Sequence, residues 1–211
     1  MKKMGKSASY ENLLKQINAT DSEKLSGYNA ELLDEIHGEE REEIEKLIWD
    51  AFYNRKDMDI AVLFPKLKTY DGMQALKDVV GTCIIPSRAS MLIAFLIYDE
   101  TQENTYLEIM RKNIKESNYH YSYIALLSYT MPDEKVYNVL TEAYENCSDP
   151  IACGSAINGI LYNKGYINDI NNMEEILSMK ELRKILKDIP KEQRKNMLKR
   201  FENGEFEEYK S

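Results

Sequence analysis

Apolar residues along this chain recur with the period of an α-helix. Ile44, Leu47, Ile48, Ala51 and Phe52 fall at i, i+3, i+4, i+7 and i+8, so they share one stripe of a helix with polar residues opposite. Ile60, Leu63, Phe64 and Leu67 repeat the spacing. So do Leu76/Val79/Val80/Ile84, Tyr106/Ile109/Met110/Ile114 and Val136/Val139/Leu140/Ala143/Cys147. No stretch sustains the period of two that a half-buried strand needs; Tyr119, Tyr121 and Tyr123 alternate briefly, then run into a helical pattern. The predicted class is all-α.

The stripes themselves repeat. Leu76/Val79/Val80/Ile84, Tyr106/Ile109/Met110/Ile114 and Val136/Val139/Leu140/Tyr144 superimpose at a spacing of 30 residues, and the Ile44 set precedes them by 32. A second, more uniformly apolar series at 91–98, 122–129 and 153–160 superimposes at 31, bringing Ala94, Ala125 and Ala156 into register. Two helices per period of this size predict a stack of helical hairpins. Punctuation agrees. Pro86, Pro132 and Pro150 stand near first turns, Ser87 and Asp149 are candidate N-caps, and Gly38, Gly72, Gly165 and Gly204 come after helical patterns as C′ residues would. Pro65 should kink the helix that contains it. No Ser/Gly linker divides the chain, so one continuous domain is expected: a helical cap over 1–39 with helices at 9–18 and 25–36, repeats over 40–165, and cap helices over 166–211 ending in a frayed acidic tail from Glu202 to Ser211.

The segment 148–161 opens with Asp149-Pro150 and places Ala152, Ala156 and Ile160 at small and aliphatic positions. In this it resembles a first helix of the HEAT-repeat superfamily in its short bacterial form, and the resemblance covers roughly residues 40–165. It implies a right-handed superhelical α-solenoid of hairpins with irregular terminal caps. Helices at 105–115 and 134–146 would then be the second helices that line the concave face. The family's Arg after the Asp-Pro turn is missing, with Ala152 and Cys153 in its place, and the repeats are short at about 30 residues. Such solenoids serve many partners, so the resemblance speaks to fold far more than to function.

Composition narrows the field. Lys and Arg number 28 against 36 Asp and Glu, a net charge of −8, which is the wrong sign for a chain whose main partner is nucleic acid. A basic groove would need Lys66, Lys68, Lys77, Arg88, Arg111 and Lys112 to converge on one face. The first residues are basic, but Glu11 and Lys15 interrupt the next stretch and no signal-type apolar core appears. The longest apolar run, 91–98, is far short of the ~20 residues that span a bilayer. A cytoplasmic protein without a membrane partner is expected. Cys83, Cys147 and Cys153 read as buried free thiols of a reducing compartment, or as a reactive or paired thiol with Cys147 and Cys153 the nearest partners.

Catalytic patterns are scarce. Only His37 and His120 exist, neither in an HExxH or i, i+4 pair, and no CxxC, GxGxxG or P-loop occurs, so neither metal nor cofactor is expected. His120 and Ser122 stand at i and i+2, which do not face each other on a helix. The acidic run 39–45 reads as a solvated helix N-terminus with pairs such as Glu42–Lys46. The 15 Tyr are the unusual feature, since Tyr offers large amphipathic area at low entropy cost in interfaces. The expected function is a non-enzymatic protein-binding module with an acidic, Tyr-bearing concave surface: Tyr119 and Tyr121 with the second-helix positions Glu108, Arg111, Glu134, Glu142 and Glu145. Its sharper version is an inhibitor or immunity-type protein that neutralises a basic partner. The alternative is a HEAT-like enzyme or cofactor-processing protein, with Glu142 beside Tyr137 or Tyr144 in the groove.

Overall fold

The computed structural model describes residues 6–20 and 27–210. All regular structure among the described residues is helical. The chain packs as two compact units, Met1–Cys83 and Ile84–Ser211. The division falls where residues 81–87 form turns and no helix, and not at the limits expected for one array with terminal caps.

The first unit holds α1 (Ala8–Asn18), α2 (Leu32–Glu35), α3 (Gly38–Tyr53) and α4 (Gly72–Val80). The helix expected at 25–36 is thus only its last turn, and residues 25 and 26 lie outside the described residues. The Ile60–Leu67 stripe forms a 3₁₀ helix, Met58–Lys66, rather than a kinked α-helix. Pro65 has no N–H to extend an α-helical ladder. The tighter winding sets i over i+3, and the pairs Ile60/Leu63 and Ala61/Phe64 are all buried. Gly72 is a helix start after its cap Asp71, not a C′ residue: a Cβ there would collide with the Phe64 carbonyl. Half-buried Trp49 borders this core, stacked on Tyr70 at 4.6 Å and on Phe64 at 5.7 Å between ring centroids.

Within the acidic run of α3, Arg41 and Glu45 are buried as an ion pair, where solvated charges were expected. Arg41 also donates to the carbonyls of Leu33 and Lys66, while Glu45 accepts from the amides of Lys68 at 2.9 Å and Thr69 at 2.6 Å. This cluster ties the chain after the 3₁₀ helix to α3.

The second unit runs α5 (Arg88–Thr101), α6 (Asn104–Glu116), α7 (Tyr121–Ser128), α8 (Glu134–Asn146), α9 (Pro150–Asn163), α10 (Met173–Ser178), α11 (Lys180–Lys187) and α12 (Arg194–Glu202). Ser87 and Asp149 cap α5 and α9 as expected, with Pro150 at the first turn, and Gly165 and Gly204 take the left-handed conformation just past α9 and α12. Helices α5, α7 and α9 touch in succession as one row; α6 and α8 touch as another; α7 also meets both helices of the second row. Gly159 of α9 is tightly packed: a Cβ there would sit 2.7 Å from Ser128 Oγ of α7 and 2.9 Å from both Leu140 methyls of α8. Helix α11 packs on α9 and α12 on α8.

Two side-chain amides, buried Asn113 and half-buried Asn163, tie helix ends together. Asn113, near the end of α6, accepts from the Ser87 amide at the start of α5 and donates to Ser90 Oγ and the Ile109 carbonyl, each at 2.9 Å. Asn163, ending α9, accepts from the Asp133 amide that begins α8, also at 2.9 Å. Residues 203–210 are not frayed. Phe206 is buried against Phe201, and Tyr166 donates to Glu207 at 3.3 Å; Ser211 lies outside the described residues.

Candidate functional site

Glu108, Arg111 and Glu142 come together across α6 and α8, with Lys115 and Tyr119 beside them, around a shallow hollow of about 210 Å³. Arg111 Nε lies 2.7 Å from one Glu142 carboxylate oxygen and Lys115 Nζ 2.6 Å from the other. Burial pushes the Glu142 carboxyl up, but hydrogen bonds from Lys115 and Arg111 outweigh it and hold the group below the usual carboxylate range. The central acid of the expected acidic surface is therefore already matched by two cations. Glu134, exposed in the first turn of α8, and half-buried Glu145 in its last lie outside this cluster. Tyr119 is half-buried with positive φ and its hydroxyl is pushed up by burial and then by Glu142. Tyr121 turns elsewhere, its ring tilted against that of His120 at 4.8 Å between centroids.

The pairing of Glu142 with Tyr137 or Tyr144 does not form. Tyr137 donates to Glu202 at 3.1 Å and Tyr144 to the Leu186 carbonyl at 2.6 Å. Both are buried, and burial pushes the Tyr144 hydroxyl up to about 12.

His120 and Ser122, however, do meet. His120 is the N-cap of α7 and not part of it, so the helical rule does not govern the pair. Its Nδ1 lies 2.8 Å from Ser122 Oγ and accepts from the Ser122 amide at 3.4 Å. The two edge a pocket of about 400 Å³ between α5 and α7, with Met91, Leu92 and Leu126 as apolar walls and Arg88 at the rim. Among the described residues no carboxylate is hydrogen-bonded to His120, and no group of three or more His, Cys, Asp or Glu could hold a metal ion.

A third concavity was not anticipated from the sequence. Helices α7 and α9 and the segment entering α10 enclose a hollow of about 270 Å³ lined by Ser128, Ser155, Asn158 and Asn171 among Ala125 and Ile176, without a charged side chain. Tyr129 and Met173 stand on its rim, 50% and 64% exposed. The Asn158 carboxamide oxygen is buried there with no donor. A buried acceptor left without a donor costs about 1–3 kcal/mol. The sequence signal was Tyr129 and Asn158, amphipathic or polar positions at the end of α7 and within α9, two strongly apolar helices.

No protein-family model, curated protein or solved structure matches this chain. Among the described residues no helix is long and apolar enough to cross a membrane.

Proposed function

We propose that the chain is a non-catalytic protein-binding module built from HEAT-like hairpins, and that it takes a neutral polypeptide segment in the α7–α9–α10 hollow. The observation that carries this reading is the uncharged hollow rimmed by exposed Tyr129 and Met173. Interface cores are depleted of charge and enriched in Tyr and Met, so this side suits a partner better than the ion-paired α6/α8 surface. The two rows of successive helices support the solenoid arrangement. The inhibitor-type version against a basic partner rests on Glu134, Glu145 and the net charge of −8, because Arg111 and Lys115 neutralise Glu142.

A displayed random-peptide library selected on the full chain tests the reading. Enriched peptides should carry an apolar anchor and no net charge, bind equally at low and high salt, and lose binding when Tyr129→Ala and Met173→Ala are combined. Basic peptides that dissociate in salt and are lost on charge reversal of Glu134 and Glu145 would return the interface to the acidic face of α8.

The α5–α7 pocket supports a second reading, a site for a small molecule with an apolar tail and an anionic head near Arg88 and His120. Decanoate, but not decanol, should then raise the melting temperature. An equal response to both would discard it.

A further inference from the structure

Cys147 and Cys153 meet at the corner between α8 and α9. Cys147 is the C-cap of α8, Cys153 lies in the opening turns of α9, and both are buried. The Cys153 thiol donates to the Cys147 carbonyl at 3.7 Å and the Cys147 thiol to the Tyr144 carbonyl at 3.6 Å. Arg194 reaches in from α12. One of its terminal nitrogens lies 2.7 Å from the Cys147 carbonyl, 2.8 Å from that of Tyr144 and 3.6 Å from Cys147 Sγ. Purely structural cysteines sit in apolar surroundings that raise their pKa, whereas reactive ones have a cation at hand. Here the neighbouring Cys147 thiol and the Arg194 charge together favour a thiolate on Cys153 against the cost of burial, and Cys147 stays protonated. Of the five residues between them, Ser148 to Ile151 are exposed and Ala152 is buried.

We propose that Cys147 and Cys153 form a reversible intramolecular disulfide on exposure to hydrogen peroxide, with Arg194 as the positioning residue that holds the pair poised. The Cys153 sulfur attacks one peroxide oxygen, the O–O bond breaks, and water departs to leave a sulfenic acid on Cys153. The Cys147 sulfur then attacks the Cys153 sulfur, the S–O bond breaks, and a second water leaves. Two thiols and one peroxide become one disulfide and two waters; the sulfurs give up two electrons and both thiol protons end on water. A thiol reductant reverses the step by exchange. The ionisable groups facing Cys153 are Cys147 and Tyr144 of α8, Asp149 at the start of α9 and Arg194 of α12.

Both cysteines fall in one tryptic peptide, residues 136–164, and Cys83 does not. The full chain carrying Cys83→Ser is treated with peroxide, unfolded, alkylated and digested. The expected product is the 136–164 peptide about 2 mass units lighter than its dithiol form, with neither cysteine alkylated, and restored by dithiothreitol. Recovery of both cysteines alkylated, separate sulfinic acids, or chains joined to one another would each overturn the proposal. In the Arg194→Met variant the pH midpoint for alkylation of Cys153 should rise, and Arg194→Lys should restore it. An unmoved midpoint in Arg194→Met would remove Arg194 from the mechanism.

Discussion

Replacing Glu45 with Ala takes one member from a buried ion pair and leaves the other in place. Arg41 would keep its bonds to the Leu33 and Lys66 carbonyls, while the Lys68 and Thr69 amides would lose their acceptor. Breaking a buried pair from one side costs roughly 3–5 kcal/mol, and the carbonyls still facing Arg41 argue for the lower end, about 3 kcal/mol. Glu45→Gln keeps the volume and one acceptor and should cost about half as much. The assay is urea unfolding monitored by tryptophan emission. The chain has a single Trp, and Trp49 borders the core that holds Glu45, so its signal reports on the first unit. With a urea slope of about 1 kcal/mol per molar for a unit of this size, the midpoint should fall by about 3 M in Glu45→Ala. The loss should also depend on pH. Burial pushes the Glu45 carboxyl up, but Arg41 and the two amides outweigh it, so its folded pKa lies below the unfolded one. Its contribution is therefore complete above the unfolded value of about 4.3 and fades as pH falls through the folded value. The gap between native chain and variant should be constant near neutrality and close in acid. Coincident Trp49 transitions at pH 7, or a gap that persists in acid, would refute the reasoning.

Other expectations concern the second unit, read by far-UV circular dichroism. Gly159→Ala should destabilise by about 1–3 kcal/mol because its methyl meets Ser128 and Leu140, whereas Gly154→Ala, with open space at its Cβ, should stabilise by about 0.5–1 kcal/mol. Glu142→Gln breaks a partly exposed cluster and should cost less than about 1 kcal/mol at low salt and nothing measurable at high salt. Tyr144 titrates at about 12 when folded and near 10 when unfolded, so its contribution is full below pH 10 and is lost as pH rises toward 12. Tyr144→Phe should therefore show a shallower loss of stability over that range in alkaline denaturation.

The helical stripes and caps could be read directly, because a buried face imposes its period on the residues that form it. Ser87, Asp149 and Pro150 mark their helix starts by local chemistry alone. Arg41 and Glu45 were legible in principle, since 41, 44, 45 and 48 share the spacing of the stripe, yet their charge type pointed to solvent. What they bind, the carbonyl and amide groups of chain some 25 residues on, has no local signature. The same holds for Glu142, whose partners sit on α6 about 30 positions earlier. His120 escapes the periodic pattern for a different reason: one residue's shift of the α7 start turns two non-facing positions into neighbours. The α7–α9–α10 hollow needs three elements at once, which no single period encodes.

The amide clamps of Asn113 and Asn163 have a consequence for how the helices come apart. The first amides of a helix have no carbonyl within it to bond, and ordinarily exchange their hydrogens with solvent long before those of the middle turns. The amides of Ser87 and Asp133 are instead held by side chains from the tail of the next helix in the hairpin. Each can open only when that tail lets go, so a helix start and a distant helix end must melt in one event. Fraying, the usual first step of local opening, is replaced at these two places by the separation of a whole hairpin.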